Sequence, residues 1–378
     1  MYNGVFSILI RASREMVESL NRQIEDHDLG KPFFDSKNYI SYPFSPENFK
    51  AIGKNAASRT LAFVDGGNQE VLGAPNFSVH INRIYFNLFE GRRRVTPRSL
   101  PRKLEFLSAT YSKFDAGEIY YHTMIFPLSK EFSALLPAEA DLRFSSIDSS
   151  IAEGRMRADI SRVASISRRF AEWSFSVKVM EEELKEGDVL IRDGTLQAPI
   201  TNEPLYAEKA YRVAERKGVL YTGLAKRSSL YTTSGLSLLG AVRKLAENHR
   251  VQYGSWFYFP ISECRGADHK AAIFLLKLSP DSKRVFRHEI YKKQAEEYGE
   301  RRLTEVFGDL ASNACDISFP GYPYGLVEAD LQSRISSREL PRYRMTILSE
   351  ISRQKKWEKF SSHMEASDAH NVLNMMVR

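Results

Sequence analysis

Two short apolar runs that each lead into Asp-Gly stand out in the hydrophobic pattern of this chain. Leu61 to Val64 runs into Asp65 and two glycines, and Val189 to Ile191 is soon followed by Asp193 and Gly194. A short unbroken apolar run bounded by glycine is typical of a strand buried on both faces. We therefore predict two buried strands with an aspartate at the end of each. Asp-Gly is also the strongest short signal for a hairpin, so either motif taken alone favours a turn.

Helical periodicity and further apolar runs outline the rest of the fold. Apolar residues recur at steps of three and four from Met156 to Met180 and predict a long helix at about 150–184. Other helices are predicted at about 4–27, 46–57, 203–217, 233–245 and 300–314, and further strands at about 71–73, 76–89, 119–125, 219–226, 255–261 and 269–278. A meander of strands, then a helix, then strand-helix units is the order of an RNase H-like fold. The predicted class is α/β, with a mixed sheet flanked by helices and with helical and loop insertions.

Composition is that of an ordinary globular protein, with a modest excess of positive charge. The 378 residues carry a formal net charge of +7, which favours an anionic partner such as nucleic acid only where the charge is clustered. Cys264 and Cys315 are too few for a disulfide framework or a zinc quartet, so we expect buried thiols in a reducing cytoplasm. No segment approaches the roughly 20 apolar residues of a membrane span. The expected location is cytoplasmic, with no membrane partner.

The positive charge is concentrated in residues 91–103. This segment carries six cations together with two prolines that should keep it out of regular structure: Arg92, Arg93, Arg94, Arg98, Arg102 and Lys103. Arginine suits phosphate through its bidentate fork, so the segment could follow a DNA backbone. A solvated loop explains the same residues equally well, and both interpretations stay open.

The chemistry depends on where the two predicted strand ends lie. If both strands point the same way in one sheet, Asp65 and Asp193 emerge at the same edge. Neighbouring carboxylates in a partly dry cleft repel each other unless a cation lies between them. Carboxylates without a histidine or cysteine cluster select magnesium or manganese, and two such ions about 3.5–4 Å apart can hydrolyse a phosphodiester. Glu172, at the edge of the long helical stripe, could reach toward the same place.

Five ordered motifs resemble the NurA nuclease domain over roughly residues 55–340. They are Phe-Val-Asp-Gly-Gly at 63–67, Arg-Phe-Ala-Glu-Trp at 169–173, Leu-Ile-Arg-Asp-Gly-Thr-Leu at 190–196, Thr-Gly-Leu-Ala-Lys-Arg-Ser at 222–228, and Gly-Tyr-Pro-Tyr at 321–324 followed by Glu-Ala-Asp at 328–330. The resemblance implies an RNase H-like, manganese-dependent nuclease. Such proteins resect DNA 5′ to 3′, cut single strands, and act as dimers with the hexameric translocase HerA in DNA-end processing.

The resemblance also implies roles for individual residues and a division of the chain. Asp65 corresponds to the central ligand of Mn²⁺ (or Mg²⁺), with Glu172 and Asp193 completing the carboxylate set. Tyr322 matches an active-site tyrosine, Lys226 matches a lysine that could neutralise the scissile phosphate, and Asp330 stands where the family usually has histidine. The expected division is a helical region at 1–54, a nuclease domain at 55–345 with an insertion at about 90–150, and a basic amphipathic tail at 346–378.

Two other functions remain compatible with parts of this pattern. A basic dimeric clamp could bind DNA and the translocase without cutting, and the aspartate at position 330 keeps that alternative open. An actin-like ATPase also uses paired Asp-Gly loops on an RNase H-like sheet. It would need a glycine-rich adenosine-binding segment late in the chain, and the sequence has none.

Overall fold

The computed structural model describes residues 2–23, 28–53, 59–154 and 156–364. Helices are α1 Tyr2–Gln23, α2 Ile160–Ala164, α3 Ile166–Glu182, α4 Glu203–Lys217, α5 Leu238–Asn248, α6 Lys292–Asn313, α7 Tyr324–Ser333 and α8 Leu340–Arg353. Strands are β1 Pro32–Phe33, β2 Tyr39–Ser41, β3 Phe49–Ala51, β4 Thr60–Ala74, β5 Phe77–Glu90, β6 Arg93–Val95, β7 Lys103–Asp115, β8 Glu118–Pro127, β9 Arg143–Ser145, β10 Val189–Asp193, β11 Leu220–Ala225, β12 Tyr231–Thr232, β13 Trp256–Tyr258, β14 Ser262–Cys264, β15 Ala271–Lys277 and β16 Phe286–Tyr291. None of the helices within these ranges combines the length and the apolar character that a bilayer crossing requires.

One 12-stranded mixed sheet organises the molecule. Its order is β3-β13-β15-β16-β11-β10-β4-β5-β7-β8-β9, and β6 pairs with β5. Strand β10 runs parallel to both of its neighbours, β4 and β11, whereas β4, β5 and β7 form an antiparallel meander. Helix α3 precedes β10 and α4 joins β10 to β11. This is the RNase H-like arrangement, so the predicted α/β class with a mixed sheet flanked by helices is confirmed.

The two faces of the central strands are covered by different helices. Ala62 and Val64 of β4 belong to the core that contains α3 and α4. Leu61 and Phe63 belong to the core that contains α6 and α7. Because successive side chains of a strand point to opposite faces, odd-numbered positions of β4 look toward α6 and α7. Val189 and Ile191 of β10 lie in that same core, so odd positions of both strands share one face.

Strand β4 does not end at Asp65, contrary to the prediction, and no turn forms there. It continues through Gly66 and Gly67 to Ala74, and the hairpin turn lies at residues 75–76. A Cβ atom on Gly66 would overlap the carboxylate of Glu172, and one on Gly67 would overlap the main chain of Ser333. The glycines therefore allow α3 and the end of α7 to approach β4 closely, and they do not reverse the chain.

Several predicted elements have different bounds in the structure. The helix expected at about 46–57 is a 3-10 turn, Pro46–Asn48, followed by β3, while residues 54–58 lie outside the described ranges. The long helical stripe begins only at Ile160, and Met156 is exposed. Sequence patterns missed β7, β16 and α8. Cys264 is buried as predicted, whereas Cys315 is exposed.

The division of the chain into three regions stays a prediction. Strands β7, β8 and β9 of the expected insertion extend the central sheet, and β3 from the expected N-terminal region forms its other edge. Helix α1 covers Tyr2–Gln23, and the end of the predicted helix at about 4–27, including Ile24, lies outside the described residues. The same is true of the apolar patch predicted near the C-terminus, because the description ends at residue 364.

Candidate metal centre

The parallel pairing of β4 and β10 brings Asp65 and Asp193 together. Arg192 is the register partner of Val64. The residues that follow them, Asp193 and Asp65, therefore lie side by side. Both occupy odd positions and therefore share the face that carries α6 and α7. The two strands thus point the same way, as the sequence argument required, and place two carboxylates at one point of the sheet.

Helix α7 adds a third carboxylate from above this face. Gly325 at its start packs on the ring of Phe63, where any Cβ atom would overlap the ring. This close approach positions Asp330, farther along the helix. Carboxylate oxygens of Asp65, Asp193 and Asp330 all lie within 4.8 Å of one another. Among the described residues, this is the acidic cluster with the geometry to hold a metal ion.

Lys226 places its ammonium group among the three carboxylates. It follows directly after β11, the strand next to β10. Its Nζ lies 2.5 Å from Oδ2 of Asp193, 2.6 Å from Oδ1 of Asp330 and 3.4 Å from Oδ2 of Asp65. Burial tends to lower the pKa of Lys226, but the carboxylates of Asp65 and Asp193 outweigh this and raise that pKa above its ordinary value. Lys226 is therefore a charged counter-ion of the cluster, and Arg334 adds a second positive charge through an ion pair with Asp330.

The environment of Asp65 disfavours the charged form of its carboxyl group. Burial, followed by the charge of Asp193, raises the pKa of Asp65 well above its ordinary value. The charge of Lys226 and a hydrogen bond of 2.7 Å from the Gly66 N–H to Oδ1 act in the opposite direction. Asp65 is thus a carboxyl group that favours binding either a proton or a further cation.

Tyr322 closes one side of the cluster. Its hydroxyl donates to Oδ1 of Asp193 at 3.4 Å, and its ring lies 5.1 Å from that of Phe286 and 5.3 Å from that of Phe319. Burial raises the pKa of Tyr322 well above its usual value, and the carboxylates of Asp193 and Asp65 raise it further. The phenol therefore stays protonated and acts as a hydrogen-bond donor.

Glu172 does not join this cluster in the structure. It is buried on the α3 face of the sheet against Gly66, whereas Asp65 points to the other face. Its carboxylate forms ion pairs with Arg168 and with Arg192, the latter at 3.0 Å. The sequence placed Glu172 at the edge of a helical stripe, but that position did not show on which face of the sheet its carboxylate would lie. Its role as a metal ligand stays a prediction.

Sequence reasoning missed the arginines that hold Glu172. Arg192 is buried and lies 4.0 Å above the ring of Trp173, while Arg168 also donates to the Gly66 carbonyl oxygen at 3.0 Å. One signal was available. A strand buried on both faces cannot carry an arginine without a buried partner, so Arg192 within β10 required a carboxylate nearby.

A second missed group lies on β5, next to Asp65. Tyr85 is the register partner of Asp65, and its hydroxyl lies 3.1 Å from Oε1 of Glu328 on α7 and accepts from Arg94 at 2.6 Å. No sequence signal identified Tyr85, because its register depends on the true position of the turn at residues 75–76. The basic segment thus reaches the edge of the carboxylate cluster through Arg94.

The basic segment is more ordered than predicted. Arg93 and Arg94 lie in β6, which pairs with β5, and Lys103 begins β7. Three of its cations have acidic partners, namely Arg93 with Glu90, Arg94 with Glu328, and Lys103 with Glu105. Arg92, Arg98 and Arg102 form no ion pair within the described part of the chain. DNA binding by this segment stays a prediction.

Clustered carboxylates on neighbouring strands of an RNase H-like sheet suit a nuclease, because such a cluster can hold the divalent ions that hydrolyse a phosphodiester. A family profile described as "NurA domain" matches residues 59–335, which is more than half of the chain. The chain belongs to the NurA family, and the resemblance noted in the sequence is confirmed. No curated protein matches the chain.

Solved structures with a similar arrangement are distant in sequence. Endonuclease V from Ciona intestinalis, in complex with a 24mer DNA containing an inosine followed by a ribo-adenosine, matches with a TM-score of 0.36 and 10% identity over 77% of this chain and 92% of that chain. A. aeolicus Argonaute matches with a TM-score of 0.28 and 13% identity over 74% of this chain and 28% of that chain. Identities this low say nothing about the substrate of this chain.

Proposed function

We propose that this chain is a metal-dependent deoxyribonuclease that hydrolyses phosphodiester bonds at the cluster of Asp65, Asp193 and Asp330. The observation that carries the proposal is the convergence of these three carboxylates, from two strands and one helix, within 4.8 Å of one another. Carboxylates that gather on one face of a sheet repel each other unless cations offset the repulsion, and Lys226 and Arg334 bring only two positive charges to three carboxylates.

The residues present fit a hard divalent ion. The donors are carboxylate oxygens without histidine or cysteine, a set that suits Mn²⁺ or Mg²⁺. The raised pKa of Asp65 and the contacts of Lys226 both indicate that this cluster attracts positive charge. Asp65, Asp193 and Asp330 would hold the ion, and Glu172 would contribute only after leaving Arg168 and Arg192. A divalent ion, or a pair of them, supplies an activated water and stabilises the leaving oxygen of the phosphodiester.

The remaining residues orient the carboxylates and neutralise the substrate. The N–H of Gly66 and the hydroxyl of Tyr322 each donate to one aspartate and fix its orientation. The ammonium of Lys226 is available to a phosphate once the carboxylates engage another cation, because it sits on a flexible stem at the open side of the cluster. Charge neutralisation of a phosphodiester at this point lowers the barrier to attack.

Family membership supports the finer assignment. We propose 5′ to 3′ exonuclease and single-strand endonuclease activity, a homodimeric state, and cooperation with a HerA-type hexameric translocase in DNA-end processing or defence in the cytoplasm. Two-metal catalysis with manganese preferred is part of the same proposal.

The test compares isosteric variants on labelled DNA. Wild-type protein should cut single-stranded DNA with Mn²⁺ and not with a chelator, and Asp65→Asn and Asp193→Asn should each lose cutting. Asp115→Asn, at an exposed position of the β7–β8 hairpin, is the matched control and should cut normally. A label at the 5′ or the 3′ end of the DNA shows in which direction the strand is degraded. Equal cutting by all variants would remove the carboxylate cluster from the reaction.

A non-catalytic DNA clamp is the second candidate, and a specific observation favours it. Lys226 already contacts all three aspartates, Arg334 pairs with Asp330, and Glu172 is held by two arginines. DNA binding without cutting in any metal, alone or with the translocase, would support the clamp. Nucleotide hydrolysis by the isolated chain would support the actin-like ATPase instead.

A further inference from the structure

A groove opens directly beside Lys226, between α5 and the loop that joins β15 to β16. Its volume is about 350 Å³. Four cations and two aromatic rings contribute to its lining, namely Lys226, Arg243, Lys283, Arg284, Phe286 and Phe319. The carboxylate cluster therefore continues into a positively charged groove on the side of β11, away from the basic segment at residues 91–103.

Two of the four cations of this groove are unpaired among the described residues, whereas Lys226 contacts the three carboxylates of the cluster. No acidic residue lines it, and Lys283 and Arg284 form no ion pair within the described part of the chain. Arg243 has one partner, Glu247, at 3.5 Å on the exposed surface of α5. The guanidinium of Arg284 lies 4.2 Å above the ring of Phe319, which holds it in place. Unpaired cations that line one concave surface attract a polyanion.

The groove is mechanically linked to the carboxylate cluster. Gly321 has a φ of +84°, and a Cβ atom there would lie 2.8 Å from Cβ of Ser282, so the loop with Lys283 and Arg284 packs tightly against residue 321. The next residue, Tyr322, donates to Asp193. An anion held by the loop is therefore kept at a defined position relative to the carboxylates.

We propose that this groove binds the phosphate backbone of a single DNA strand next to the scissile bond, with Arg243, Lys283 and Arg284 contacting successive phosphates. This inference rests on the proposed function. A groove of this volume is comparable to pockets for small ligands, so it has room for a short stretch of the backbone of one strand. Because phosphates carry no sequence information, binding should not depend on base sequence.

The test neutralises two cations of the groove and two elsewhere. Lys283→Gln/Arg284→Gln is compared with Lys209→Gln/Arg212→Gln, an equal change on exposed positions of α4, which does not line the groove. Fluorescence anisotropy of a labelled oligothymidine, in chelator so that no cutting occurs, measures affinity against salt concentration. Each lost phosphate contact lowers the slope of log affinity against log salt by about 0.7 for single strands, so the groove variant should lose about 1.4.

The outcomes separate this inference from the proposed function. A salt slope of the groove variant equal to that of wild type, or an equal loss of slope in the α4 variant, overturns the groove assignment. The proposal of a nuclease still stands in that case if wild-type protein cuts DNA. Failure of wild-type protein to bind or cut DNA overturns both. Lys283→Gln alone, at an exposed position, should lose about half of the double variant's change and serves if the double variant does not fold.

Discussion

Nζ of Lys226 lies 2.5 Å from Oδ2 of Asp193, and the same nitrogen contacts Asp330 and Asp65. One ammonium group therefore offsets part of the repulsion among three carboxylates. A divalent ion that binds these oxygens must compete with it. Lys226 thus connects three properties of the protein: its stability without metal, its affinity for metal, and the charge it offers to a phosphate.

Replacing Lys226 should expose this competition. Lys226→Gln leaves Asp65 and Asp193 without their cation, whereas Asp330 keeps Arg334. Because Lys226 is partly exposed, the cost should be about 1 kcal/mol. The melting temperature of the variant in chelator should therefore be about 1–2 °C lower than that of wild type. Added Mn²⁺ should raise the melting temperature more in the variant than in wild type, since no ammonium has to be displaced. Lys209→Gln on α4 is the control, and identical metal responses in all three proteins would contradict the competition.

The raised pKa of Asp65 predicts a pH dependence of stability without metal. The folded state keeps this proton to a higher pH than the unfolded chain, in which the pKa of an aspartate is about 3.9. The stabilising contribution is complete below that unfolded value and is lost as pH rises through the folded-state pKa. Urea unfolding in chelator between about pH 4.5 and 8 should show wild type losing stability relative to Asp65→Asn. If the free energies of unfolding of the two proteins changed with pH in parallel, the raised pKa of Asp65 would be contradicted.

Local patterns were sufficient for the two strands and their aspartates. Apolar runs bounded by Asp-Gly predicted β10 and the first part of β4. Alternation of strands with helices predicted a mostly parallel or mixed sheet, in which a common direction of these two strands was a condition that the structure meets. The contribution of Asp330 came only from the family resemblance, because an aspartate on a helix carries no signal of the strand that it faces. Its position depends on Gly325 packing against Phe63, a contact between residues far apart in sequence.

Other features lay beyond sequence reasoning for definite physical reasons. Gly66 and Gly67 have the composition of a turn but serve the close packing of α3 and α7 on a continuing strand. The same error in the turn position hid the pairing of Tyr85 with Asp65. The groove beside Lys226 brings together α5 and the β15–β16 loop, and neither segment has a concentrated charge in the sequence.

The basic segment at residues 91–103 should divide into two groups of arginines. Arg92, Arg98 and Arg102 form no ion pair within the described residues, so each should be available to a phosphate. Changing all three to Gln should flatten the salt dependence of single-strand binding by about 2 in slope. Arg93→Gln/Arg94→Gln should change it less, because Glu90 and Glu328 already pair with these side chains. Equal slopes in wild type and in the triple variant would assign the segment to solvent.

The stability of two isosteric variants should separate the roles of Glu172 and Asp65. Glu172→Gln removes the charge that pairs with Arg192, an arginine buried in the core, and should destabilise the protein by about 3 kcal/mol, as for other broken buried pairs. Asp65→Asn removes one of three repelling carboxylates, so in chelator its stability should equal or exceed that of wild type. Urea unfolding of both variants at neutral pH makes the comparison. Equal stability of Glu172→Gln and Asp65→Asn would mean that Glu172 belongs energetically with the metal-binding carboxylates, and that its arginine partners release it readily.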